Sequence, residues 1–134
     1  MKKRTFEEIV SKIKEIKIKE KVDIVIGIAE GGIIPAYLIA KKLKKPVDFI
    51  WINFRDADNH PQWKFPRVIK PYLPNIKNKH VLLVDDVSRT LSTFRKAKQC
   101  LGAAKSIKTL TFNGKGSYHL YNEECFIFPW VINE

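Results

Sequence analysis

The sequence predicts an α/β protein with one parallel sheet flanked by helices. Three observations carry this. Short β-branched runs alternate with segments of helical periodicity, the pattern of strand, crossover helix and strand. The best strand candidate, VDIVIGI at 22–28, is apolar at nearly every position, as a strand buried on both faces must be. Two turns rich in chemistry, 29–32 and 85–93, each follow the carboxyl end of a predicted strand, where open parallel sheets bind ligands.

Taken in order, Phe6, Ile9, Val10, Ile13 and Ile16 recur at three- and four-residue spacing between Lys and Glu, predicting an amphipathic helix over about Thr5–Glu20. AEGG, 29–32, is a turn after the first strand, and IIPAYLIAKKL, 33–43, is the helix behind it. Pro35 is compatible with that helix because it falls in the first turn. PVDFIWIN, 46–53, predicts a second strand and VLLV, 81–84, a third. A helix from about Thr90 to Leu101 stops at Gly102. SIKTLTF, 106–112, predicts a fourth strand, and CFIF, 125–128, a short fifth closed by Pro129. No composition break divides the 134 residues, which suffice for one domain, 1–134.

The segment 54–79 is too long for an ordinary connection. Pro61, Pro66, Pro71 and Pro74 exclude a simple helix, so it is expected to be a hood or lid, with Arg55, Lys64 and Arg67 available to cover an anion. Trp51 and Trp63 are aromatics suited to a subunit contact. Cys100 and Cys125 lie outside any metal-ligand spacing and are expected to be reduced thiols of a cytoplasmic protein. No apolar run approaches the length of a membrane span, and MKKRTFEEIV lacks the apolar core of a secretion signal. The formal charge of +11 names two candidate partners, nucleic acid and a polyphosphate substrate, beside the simpler account of a solvated lysine coat.

The sharpest signal is VLLVDDVSRTLSTF, 81–94. Thr90, Ser92 and Thr93, with the free N–H groups of a first helical turn, can ring an anion. Asp85 and Asp86 would repel that anion, and instead suit hydroxyl donors or a metal ion. A ligand with a phosphate at one end and a diol at the other satisfies both halves.

These residues resemble the 5-phosphoribosyl 1-pyrophosphate (PRPP) motif of the type I phosphoribosyltransferases. GIAEGGIIPAYLIAKKL, 27–43, resembles that family's pyrophosphate loop and following helix. FIFPW, 126–130, is most similar to the base-binding segment of the microbial xanthine–guanine and hypoxanthine enzymes. The resemblance implies that Asp85 and Asp86 hold the ribose hydroxyls, directly or through Mg²⁺. It implies that Ser88, Arg89, Thr90, Leu91, Ser92 and Thr93 wrap the 5′-phosphate, and that Glu30, Gly31 and Gly32 approach the pyrophosphate. Phe126 and Ile127 would then lie against the base, with Lys115 reaching the exocyclic oxygen of a 6-oxopurine. It further implies a homodimer acting on PRPP and a nucleobase in nucleotide salvage.

Three positions depart from the family pattern. Leu91 stands where the motif has Gly, at a cost if the backbone there is left-handed. Arg89 replaces an aspartate common in purine enzymes, and Glu30 replaces a basic residue. These departures support an alternative: a PRPP- or nucleotide-binding regulator with little turnover, able to bind RNA if its positive charge is concentrated on one face away from the cleft.

Overall fold

The computed structural model describes residues 1–53, 67–68 and 74–132. Among them, helices α1 (Phe6–Glu15), α2 (Ile33–Leu43) and α3 (Ser92–Cys100) alternate with strands β1 (Ile24–Ala29), β2 (Val47–Asn53), β3 (Arg67–Val68), β4 (His80–Ser88), β5 (Ser106–Gly114) and β6 (Tyr118–Tyr121). The sheet order is β3-β2-β1-β4-β5-β6. All neighbours pair parallel except β3, which lies antiparallel beside β2. The predicted α/β class and parallel sheet are therefore present.

Alternation along the central strands divides the core in two. Val25, Leu82, Val84, Leu110 and Phe112 meet α1, α2 and the aromatic C-terminal segment on one face. Ile24, Ile26, Ile28, Leu83 and Ile50 meet Phe94, Ala97 and Leu101 on the other, under α3. Every residue of β1 is buried, which is why its sequence carries no polar face.

Helix α1 begins as its sequence dictates. Thr5 and Glu8 form a reciprocal capping box, each side chain accepting the other's backbone N–H. It stops at Glu15 rather than running to Glu20, because Ile16 turns extended at ψ 138°. The exposed carbonyls there accept from a distant donor: Lys42 Nζ reaches Ile13, Lys14 and Ile16 oxygens at 2.5–3.2 Å. Helix α3 begins at Ser92, two residues later than expected, behind Leu91 at φ 66°.

The C-terminal strand is corrected. Residues 125–128 form no strand; a single parallel bridge joins Ile127 to Lys3, while the edge position beside β5 belongs to β6. Phe126 and Phe128 are both buried with Ile127 between them less so, so the segment keeps the alternation of an extended chain and seals the core with two rings without pairing into the sheet. β6 escapes sequence reading because the connection 115–117 is far shorter than a parallel crossover normally needs. It works here because β6 starts opposite Leu110, so the chain folds back along β5 before resuming. Of the expected hood, Arg55, Pro61, Trp63, Lys64, Pro66 and Pro71 lie outside the described residues, and Arg67 appears as backbone of β3.

Candidate active site

Between β1 and β4 the sheet order reverses: α2 carries the chain from β1 to β2 on one side, and α3 carries it from β4 to β5 on the other. Such switch points open a crevice at the carboxyl ends of the strands. Both candidate loops emerge there.

The first loop is pressed against the second. A Cβ placed on Gly31 would stand 2.6–2.7 Å from the carboxylate of Asp86. One on Gly32 would meet the Ile28 and Val84 carbonyls at 2.6 Å, so only glycine lets this turn settle onto β4. Gly32 then donates to the Ile28 carbonyl at 2.7 Å and Ile33 to that of Glu30 at 3.0 Å, launching α2. The Ala29–Glu30 peptide is cis, and the Glu30 side chain is exposed.

Asp85 and Asp86 differ in environment. Asp85 is 9% exposed, and its Oδ1 accepts the Asp86 N–H at 2.8 Å. Burial raises its carboxyl well above the usual carboxylate range, and the neighbouring charge of Asp86 pushes the same way. Asp86 is half-buried; its Oδ1 accepts the Val87 N–H at 2.7 Å, and its carbonyl accepts Thr111 Oγ1 at 3.3 Å. The pair is thus fixed by its own backbone and lacks a cationic partner among these contacts. That is the donor set an incoming diol or cation would complete.

Residues 87–93 line a cavity of about 200 Å³, well above the ~10–15 Å³ that one water centre requires. Ser88 is buried at the end of β4, while Thr90 Oγ1 and Ser92 Oγ pair at 3.0 Å on the rim. Arg95 holds the Thr90 carbonyl at 3.1 Å. The first N–H groups of α3, from Ser92 onward, have no helical acceptors and carry the positive end of the helix dipole. Leu91 does occupy the left-handed region, φ 66° and ψ 0°, a conformation that costs a non-glycine residue about 1–2 kcal/mol. Packing of its side chain beside the α3-face core offsets part of that cost.

Arg89 leaves this cavity for the loop after β6, where its guanidinium donates to the Glu123 carbonyl at 2.8 Å and approaches Cys125 Sγ at 3.6 Å. It thereby bridges the 87–93 cavity to a larger one of about 610 Å³, bordered by Met1, Lys2 and residues 123–126. Buried Asn113 pins the same loop: its Nδ2 donates to the Glu124 carbonyl at 3.2 Å and its Oδ1 accepts the Glu123 N–H at 3.0 Å. Sequence reading missed Asn113 and Thr111; a polar residue at an otherwise apolar strand end, as in TFNG, was the available signal.

The expected base-side residues do not converge. Phe126 is 7% exposed, its ring packed edge-on against Tyr121 at 5.1 Å and Phe128 at 4.8 Å. Ile127 is engaged through its backbone with Lys2 and Arg4. Lys115 lies elsewhere, lining a separate cavity of about 390 Å³ with Leu91 and Ser117 while its N–H donates to Ser88. The carboxylates, the glycine turn and the 88–93 loop come together; Phe126 borders the 610 Å³ cavity beyond Arg89, and Lys115 lines the separate 390 Å³ one.

Among the described residues no cluster of three His, Cys, Asp or Glu side chains could cage a metal ion alone. Two adjacent carboxylates nonetheless fit Mg²⁺, which commonly takes one or two carboxylates and completes its shell with water and substrate phosphates.

Residues 3–129 match the family described as the phosphoribosyl transferase domain. A search of curated protein sequences gives no match. Among solved structures, a purine phosphoribosyltransferase from Pyrococcus horikoshii superposes with a TM-score of 0.78 at 28% identity, covering 98% of this chain and 97% of that one. A Neisseria gonorrhoeae protein with bound ppGpp gives 0.71 at 22% identity over 97% and 90%. A hypoxanthine phosphoribosyltransferase from Staphylococcus aureus gives 0.67 at 20% identity over 93% and 73%. The chain belongs to the phosphoribosyl transferase domain family, and its solved neighbours include purine phosphoribosyltransferases.

Proposed function

We propose that this protein transfers the 5-phosphoribosyl group of PRPP to a ring nitrogen of a purine base, releasing pyrophosphate. The observation that carries the reading is the contact of Gly31 with the Asp86 carboxylate, which sets the pyrophosphate turn, the acid pair and the 88–93 nest around one crevice.

In this reading the α3 N–H groups and the hydroxyls of Ser88, Thr90, Ser92 and Thr93 hold the 5′-phosphate. Asp85 and Asp86 take the 2′- and 3′-hydroxyls and hold Mg²⁺, directly or through water. Mg²⁺, when bound, neutralises charge on the leaving pyrophosphate. As the bond from C1 to pyrophosphate lengthens, positive charge grows on the sugar, and the neighbouring carboxylates stabilise it. Gly31, which carries no side chain, lets the departing anion approach the backbone of this turn, while the Gly32 N–H stays on the Ile28 carbonyl. The 610 Å³ cavity beyond Arg89 has the size of a small-molecule site and offers room for the base. With arginine at 89 in place of that aspartate, Asp86, water or a carboxylate bordering the cavity, Glu123 or Glu124, accepts the proton of the attacking nitrogen.

The test is pyrophosphate release from PRPP with Mg²⁺, screened across purine and pyrimidine bases. Release with a purine is expected. PRPP binding without release from any base would instead identify a regulator built on the same fold, a reading that the guanidinium of Arg89, where an acid would serve the base, keeps in play.

A further inference from the structure

The +11 charge is not spread evenly. Among the described residues most of the strand-following charges at the carboxyl ends are acids, Glu30, Asp85, Asp86, Glu123 and Glu124, beside Arg89 and Lys115 and with Arg4 paired to Glu123. The amino ends are the reverse. Lys19 and Lys21 precede β1, Lys44 and Lys45 precede β2, Lys77 and Lys79 precede β4, and Lys105 precedes β5. Backbone hydrogen bonds draw these segments into one rim: Val25 N–H to Pro46, Asp23 N–H to His80, and Lys105 N–H to Lys79, at 2.8–2.9 Å. All but half-buried Lys79 are exposed. Lys41 in the last turn of α2 and Lys98 in that of α3 add to the same end, while Lys42 there is committed to the α1 carbonyls.

Among the described residues four acids stand at this end: exposed Glu15 closes α1, Asp48 accepts the Phe49 N–H at 2.8 Å at the start of β2, and Asp23 and Glu20 lie in the rim itself, both engaged. Asp23 accepts the His80 N–H at 2.8 Å, and Glu20 accepts the Tyr118 hydroxyl. Four adjacent strands, β2-β1-β4-β5, spread the lysines over about 15 Å at ~4.8 Å per strand spacing.

We infer that this rim is a binding surface for the phosphate backbone of a nucleic-acid duplex, at the end of the molecule opposite the active-site crevice. The chemistry separates the alternatives. The exposed large apolar residues, Met1, Phe6, Ile34, Tyr37, Val131 and Ile132, all lie outside the rim segments. Among the described residues the rim therefore has no exposed apolar anchor for a lipid surface or for the aromatic-centred hot spot of a protein partner. Among the described residues its aromatic, Tyr118, is half-buried and tied by its hydroxyl to Glu20 and the Lys19 N–H, not free as a platform on which single-stranded bases would stack. Lysine point charges contact phosphates without reading bases, so binding is independent of sequence and steeply salt-dependent.

The test is fluorescence anisotropy of the intact protein with labelled RNA and DNA duplexes of about 20 base pairs, titrated with salt. A Lys45→Gln, Lys79→Gln, Lys105→Gln variant is compared with a control of equal charge change, Lys2→Gln, Lys3→Gln, Lys96→Gln; circular dichroism confirms that both fold. The rim variant is expected to lose about tenfold in affinity and about 3 units of salt slope, roughly one per phosphate contact, while pyrophosphate release stays within about twofold. The control keeps its affinity. Equal losses in both variants, no duplex binding at low salt, or tighter binding to single strands or to anionic vesicles would each overturn the inference.

Discussion

At the scale of single residues, the account rests on the contact between a glycine and a carboxylate. Gly31→Ala would drive a methyl into Asp86 and displace it from the Val87 N–H. We expect turnover to fall at least tenfold, or about 1.4 kcal/mol in barrier, with thermal unfolding little changed. Asp86→Ala should abolish pyrophosphate release in a protein whose circular dichroism is native; unchanged kinetics in either variant would remove Asp86 from the site. Asp85 makes a prediction of opposite sign. Its carboxyl is raised in the folded protein, so the folded state holds its proton longer than the unfolded chain does. Stability from this group is therefore greatest below the ordinary carboxylate range and falls as pH rises towards the raised value. In ligand-free protein with chelator, Asp85→Asn should melt higher than wild type at neutral pH and show a flatter dependence on pH. A lower melting temperature at neutral pH would contradict the assigned burial effect. These residues were legible in the sequence because their spacing is local. The left-handed backbone at Leu91 was visible only as a question, since a leucine carries no sign of the conformation its neighbours impose.

At the scale of elements, the sequence located β1, α2, β2, β4 and α3 because each is a contiguous apolar or periodic run. It failed where a distant partner decides. α1 stops early where Lys42 of α2 caps its last carbonyls. Residues 125–128 look like a strand by composition, yet β6 has taken the sheet edge and Phe126 turns into the core. The loop after β6 depends on Asn113, which holds it from both sides. Asn113→Ala should leave these two groups without their partner, lowering stability by about 1–3 kcal/mol. If that loop borders the base, KM for the base should rise several-fold while KM for PRPP holds. Equal changes in both constants would detach the loop from base recognition.

At the scale of the whole molecule, the strand order organises the chemistry. Reversal between β1 and β4 places two loops, more than fifty residues apart in sequence, at one crevice with the acids around it. Parallel strands necessarily put their other ends together on the far side, where the lysines collect. Among the described residues the same topology thus gathers the strand-leading lysines at one end and the site carboxylates at the other, although the composition alone gave only a net value. That sorting could not be read before the strand order was known, because each lysine pair sits in a separate connection.

The most direct measurement is a crystal structure with ribose 5-phosphate. The account predicts the phosphate among the amides of residues 88–93 and the sugar diol on Asp85 and Asp86. A phosphate bound elsewhere, or a pentose turned away from both carboxylates with the nest empty, would contradict it.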